Sequence, residues 1–117
     1  MNTSYFSSKQ ILKENLNLVS ISRKSPEWFK IPMKIYKPLC PSWDLVMPYK
    51  EGKITKREYT NRYYNEFLDK LDPAKTYQEL GEDAILLCWE RSGIFCHRHI
   101  VANWLMVNLN ITIYELE

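Results

Sequence analysis

The residues best equipped for chemistry fall in one stretch: Cys88-Trp89-Glu90-Arg91-Ser92-Gly93-Ile94-Phe95-Cys96-His97-Arg98. It holds two thiols, a carboxylate, an imidazole and two guanidinium groups. A cysteine at a helix start, beside an imidazole and a guanidinium, is placed to form a thiolate and attack an electrophile. Free amides at the same helix start favour an anion, and Arg98 offers a bidentate donor for phosphate or carboxylate. Cys96, Glu90 and His97 are therefore the candidate catalytic groups, and Arg23, Arg98 and Cys88 the candidate ligand- or anion-binding groups. Glu90 would serve as the base, or orient His97 or an arginine. Cysteine and histidine adjacent in sequence on a helix do not readily point at each other, so Glu90 is the more reachable base for Cys96.

Each of these residues also has a purely structural reading. Cys88 ends an apolar run and suits a small buried hydrophobe. Glu90 can simply pair with Arg91 or Arg98, and His97 can hold the loop by a hydrogen bond. Arg98 in a first helical turn is unfavourable to the helix dipole, which implies an anionic partner, either Glu90 or a ligand. No metal is expected. The chain has no Cys-x-x-Cys pair, and His97 and His99, two apart on a helix, do not share a face.

The elements around this stretch must bring it to a ligand. Ala84 to Glu90 is the clearest strand, and a helix runs from about Cys96 to Leu109 with Ile100, Val101, Trp104 and Leu105 inward. The site thus sits between the carboxyl end of a buried strand and the start of a helix, where ligands bind in open parallel α/β sheets. Upstream, Thr3–Phe6 reads as a strand. Ser7 or Ser8 caps a helix carrying Ile11, Leu12 and Leu16, and Leu18–Ile21 reads as a second strand. Arg23 follows that strand directly and points at the same rim. Residues 23–41 contain four prolines and read as loop. Lys24, Lys30, Lys34 and Lys37 interleave there with Trp28, Phe29 and Tyr36, a pattern suited to stacking bases and holding phosphates. The plainer reading, that the aromatics anchor the loop on the core, is preferred.

Ser42 caps a short helix through Leu45, Val46 and Met47 that Pro48 should end or kink. Thr55 and Glu58 fit a capping box, and Tyr59, Tyr63, Phe67 and Leu71 recur at helical spacing. That stripe is expected to be core. Asp72-Pro73 and Gly81 bracket another short helix, and Ile111–Glu115 closes the chain as a strand. The order predicts an α/β fold: a small Rossmann-like three-layer domain over residues 1–117, with a roughly four-stranded, mainly parallel sheet and helices on both faces.

Composition sets the limits. The 117 residues are 45% apolar and 26% charged, with a net charge of +2, which excludes a disordered chain and an all-over basic coat. Gly52, Gly81 and Gly93 are the only glycines and are too scattered for a glycine-rich phosphate loop. No apolar run is long enough to cross a membrane. Three cysteines without a signal peptide point to a cytoplasmic protein with reduced thiols, and no cofactor is implied.

The chain resembles the domain of unknown function 488 family along nearly its whole length. The resemblance is carried by Leu86-Leu87-Cys88-Trp89-Glu90, by Cys96-His97-Arg98-His99 and by Trp104-Leu105. Further upstream it rests on Thr3-Ser4-Tyr5-Phe6, Ser20-Ile21-Ser22-Arg23, Pro26, Trp28-Phe29-Lys30, Pro41-Ser42-Trp43, Tyr49-Lys50-Glu51-Gly52 and Glu58-Tyr59. It implies a Rossmann-like α/β fold with a shared polar set of Arg23, Cys88, Glu90, Cys96, His97 and Arg98. It implies no particular activity. Ser20-Ile21-Ser22 stands where many members carry an acidic residue before the arginine, and Pro48 is unusual in its helix.

Three functions fit. The first is a pocket for a phosphorylated small molecule, most naturally a nucleotide or nucleoside derivative, with or without catalysis. The second is a nucleic-acid accessory module using loop 23–41, and the third a protein-interaction domain with no small ligand.

Overall fold

Ala84-Ile85-Leu86-Leu87-Cys88 is apolar at every position because it forms the central strand of a sheet covered on both faces. In the computed structural model, which describes residues 1–117, this strand is β4 (Ala84–Cys88). It lies between β1 (Asn2–Tyr5) and β2 (Asn17–Ser20), parallel to both, in the order β3-β2-β4-β1-β5. The outer strands are two residues each, β3 at Lys34–Ile35 and β5 at Tyr114–Glu115. The sheet is all parallel and five-stranded, one strand more than the sequence reading expects. The extra strand, β3, falls inside proline-rich loop 23–41. Only two of its residues pair with β2, too few to leave a pattern in the sequence.

Alternation along the strands divides the core. Val19, Ala84 and Leu86 face the larger cluster, which takes residues from all four α-helices: α1 (Trp43–Lys50), α2 (Lys56–Glu66), α3 (Pro73–Leu80) and α4 (His97–Leu109). Leu18, Ile85 and Leu87 face a smaller cluster with Phe6 and Ile11. This Rossmann-like α/β domain is therefore three-layered but lopsided. The layer over the smaller cluster is a single 3₁₀ turn at Lys9–Ile11 with Leu16, Phe29, Ile31 and Met33, where the sequence reading expects a helix. Three apolar residues over six positions are too few to sustain an α-helical face there.

The helical signals hold where the chemistry is local. Thr55 and Glu58 form the capping box, Asp72 caps α3, and Gly81 ends it at a φ of 97°. Tyr59 and Tyr63 of the aromatic stripe are buried, as burial-driven spacing requires. Pro48 departs from expectation, because α1 runs through it to Lys50. A proline cannot donate to the carbonyl four residues back, which here belongs to Asp44. Arg62 of α2 supplies that donor instead, Nη1 to the Asp44 carbonyl at 3.3 Å.

Tyr63 is wholly buried and donates its hydroxyl to the Leu39 carbonyl at 2.6 Å, tying α2 to the chain entering α1. Tyr63→Phe leaves that buried carbonyl without its donor and should cost about 1–3 kcal/mol. Urea unfolding will show a lower midpoint with an unchanged slope. An unchanged midpoint would mean the carbonyl finds another donor.

Candidate active-site cleft

The carboxyl ends of β2 and β4 diverge into a cleft of about 290 Å³. Its floor is Cys88, Cys96 and His97. One rim comes from Ser22, Arg23 and Lys24 after β2, and another from Trp89 and Glu90 after β4. The far wall is Trp43, Val46, Tyr49 and Lys50 of α1, with Tyr59 of α2 and Phe95. The rings of Tyr49, Tyr59 and Phe95 form a triangle with centroids 5.3–5.4 Å apart, which joins α1, α2 and the entry to α4. Trp89 fastens the opposite side. Its indole N–H donates to the Lys24 carbonyl at 2.6 Å, and its ring packs edge-on against Phe6.

Five of the six residues singled out from the sequence line this cleft: Arg23, Cys88, Glu90, Cys96 and His97. The sixth, Arg98, lies behind the floor with no exposure to solvent. Its Nε and Nη2 hold Glu115 at 3.1 and 2.7 Å, and its Nη1 donates to the Cys88 sulfur at 3.0 Å. Its anionic partner is thus Glu115 of β5, where the sequence reading expects Glu90 or a ligand. Glu90 is exposed at the cleft mouth and bonds neither Arg98 nor His97. Glu115 arrives there because β5 pairs with β1 at the sheet edge, and nothing local at Arg98 reveals which carboxylate that is.

The cysteines bring two corrections. Cys88 and Cys96 are joined by a disulfide, and only Cys40 is a free thiol, where three reduced cysteines are expected. The loop from β4 to α4 reverses within eight residues and returns the second sulfur to the first. Cys96 and His97 also face each other, with Sγ 3.7 Å from Nδ1. The expectation that they would not assumes both are helical. Cys96 is the residue before the helix, at φ −151° and ψ 150°, and this extended backbone turns its side chain back over His97.

Burial lowers the His97 imidazole to about 4, helped by the adjacent Arg98 charge and opposed by the bond to the Ile21 carbonyl, so the ring is neutral at pH 7. Its Nε2 donates to that carbonyl at 2.5 Å, which leaves Nδ1 unprotonated and facing the Cys96 sulfur. Cys88, Cys96 and His97 also set three metal-ligand atom types within 4.8 Å of one another. With the sulfurs bonded to each other, neither is a thiolate able to take an ion in this state.

Cleft residues that the sequence does not single out for chemistry include Tyr49, Lys50 and Ser22. Tyr49 and Lys50 join the site through tertiary packing. Ser22 is buried and its hydroxyl has no hydrogen-bond partner, although it lines the cleft. In loop 23–41, Phe29 packs on Phe6 and Tyr36 bonds Glu79, in keeping with anchoring, while Trp28 stays 58% exposed.

The model of the DUF488-N3a family, described as the active DUF488-N3 subclade, matches residues 8–109. The chain belongs to this family, and the match takes in every residue of the cleft. No curated protein and no solved structure matches it.

Removing Glu115 should be severe, because it strands a fully buried guanidinium. Glu115→Ala is expected to cost about 3–5 kcal/mol, lowering the melting temperature by more than about 10 °C. The pH response follows from the same pair. Burial works to raise the Glu115 carboxyl, but hydrogen bonds from Arg98, Thr3 and Ser92 and the Arg98 charge outweigh it and hold the group at about 2. The unfolded chain binds this proton near 4.5, so the contribution is complete above that pH and disappears as pH falls toward 2. His97 adds a loss between 6.5 and about 4, where the unfolded chain is protonated and the folded one is not. Thermal melts of the wild type from pH 7 to 2.5 should decline through both windows. The lower decline should be absent in Glu115→Gln.

Proposed function

We propose that the cleft binds a phosphorylated small molecule of nucleotide type, and that the cysteine and imidazole at its floor act on it. The observation that carries this reading is the unmatched polarity of the cleft. Arg23, Lys24 and Lys50 line it and none makes an ion pair, while Glu90 is the only acidic residue of the lining. The buried Ser22 hydroxyl without a partner needs an acceptor or donor from outside the protein. Cations held beside an aromatic wall suit a ligand with a charged end and a flat ring, since phosphate takes the guanidinium and ammonium groups and a base stacks on Tyr49 or Trp43. About 290 Å³ is at the small end for ligand pockets, which favours a mononucleotide or sugar phosphate over a polymer. The description of the matched subclade as active agrees with a site that does chemistry. A cleft lined by Arg23, Glu90 and His97 also weighs against a protein-interaction domain with no small ligand.

A thermal-shift panel tests this, using nucleotides, nucleosides, sugar phosphates and short oligonucleotides at low and high salt. A ligand at a hundred times its Kd stabilises by about 2.7 kcal/mol, a rise of several degrees. The expected result is a shift with a mononucleotide that outlasts high salt and is lost in Arg23→Ala with Lys50→Ala. Equal shifts in the wild type and that double variant would overturn the reading. A response to oligonucleotides alone, abolished by salt, would move the function to loop 23–41.

A further inference from the structure

Two sulfurs at the floor of an open cleft, each with a different polar neighbour, make an asymmetric pair. The Cys96 sulfur faces Nδ1 of His97, and the residue is 9% exposed. The Cys88 sulfur receives the Arg98 Nη1 donor, and the residue is 1% exposed. Both line the cleft. Cys40 is sequestered from it: buried, with its S–H donating to the Ser22 and Tyr36 carbonyls and burial pushing its thiol up.

We infer that Cys88 and Cys96 are a redox-active pair, in which Cys96 is the sulfur that exchanges with small thiols and disulfides and Cys88 is the resolving sulfur. This rests on the geometry of the floor and not on the identity of the phosphorylated ligand.

In the reductive direction an external thiolate attacks the Cys96 sulfur. A bond forms between them, the Cys88–Cys96 bond breaks, and the electron pair leaves on Cys88. The Arg98 N–H already directed at that sulfur stabilises the charge as it develops. A second external thiol attacks the mixed disulfide and frees Cys96. Two external thiols thus give up two electrons and two protons to the pair and leave as their own disulfide, while the protein gains two thiols. In the reduced state Nδ1 of His97, the unprotonated ring nitrogen, accepts a hydrogen bond from the Cys96 thiol, since Nε2 donates to the Ile21 carbonyl. The greater exposure of Cys96 to the cleft makes it the nucleophile and its bond to Cys88 the closed form. His97 and Arg98 act through the sulfurs and are positioning residues here.

The experiment uses the full chain, reduced with excess dithiol under native conditions, desalted, and given limiting iodoacetamide. Peptide mass spectrometry then reads the site of modification over time. Cys96 should be labelled at least tenfold faster than Cys88 or Cys40, and the unreduced protein should not be labelled at either Cys88 or Cys96. Reduced protein given glutathione disulfide should return to the Cys88–Cys96 bond. Cys88→Ser should instead accumulate a persistent mixed disulfide on Cys96. His97→Gln should slow Cys96 labelling, while leaving Cys40 labelling in denaturant unchanged.

Equal labelling of Cys88 and Cys96, labelling of Cys88 first, or failure of the folded reduced chain to re-form the bond would each overturn the inference. If Cys88→Ser or His97→Gln does not fold, the order of labelling in the wild type decides alone. A nucleotide shift that fails while Cys96 labels first would reject the phosphorylated ligand and keep the cysteine pair.

Discussion

A guanidinium closed off from water is the constraint around which this molecule is arranged. Arg98 cannot stay buried without an anion of matching shape. Glu115 supplies the anion, taking Nε and Nη2 donors, and the Cys88 sulfur takes a third donor from Nη1. Glu115 is held in turn by Thr3 of β1 and Ser92 of the β4–α4 loop, at 2.5 and 2.9 Å. One charge pair therefore fastens β1, β4, α4 and β5 together. It explains how a strand of only two residues, β5, holds its place at the sheet edge. Moving the pair would displace the sulfur on which the cleft floor is built.

This arrangement separates the floor of the cleft from its walls. The floor comes from the central strand, buried at every position, and from the buried start of α4. The walls come from α1, α2 and the segment after β2, joined across the opening by aromatic contacts and by the Trp89 indole. Polar groups in the floor have assigned partners. Those on the walls, Arg23, Lys24, Lys50 and the Ser22 hydroxyl, do not. Charge without a protein partner is thus concentrated on the side of the cleft that a ligand would meet first.

How much of this is legible in the sequence depends on how far each interaction reaches along the chain. Capping at Thr55 and Asp72, the turn at Gly81 and the inward stripe of α2 are short-range and stand out. Floor residues Cys88, Cys96 and His97 are near neighbours in sequence, and Arg23 follows from knowing that parallel strands end on one rim. The partner of Arg98 is seventeen residues away on an edge strand with no periodicity, so Glu90 looked nearer. The disulfide and the facing of Cys96 and His97 depend on one extended residue at a helix boundary, a detail that residue types do not encode. Pro48 reads as a stop because its remedy, an arginine on another helix, is tertiary.

The placement of β4 also has a bearing on synthesis. β1 and β2 are not neighbours, since the slot between them belongs to residues 84–88. While the chain is being made, its first two strands have no partner in each other; β1 pairs with β4 residues 83 positions later and β2 with residues 67 positions later. Every extended pairing except β2 with β3 and β1 with β5 runs through that late segment, and β1 with β5 comes later still. Sheet formation is therefore dominated by contacts distant in sequence, a topology that folds slowly and leaves strand edges bare meanwhile. The short length of those early strands, four residues each, keeps the bare edge small.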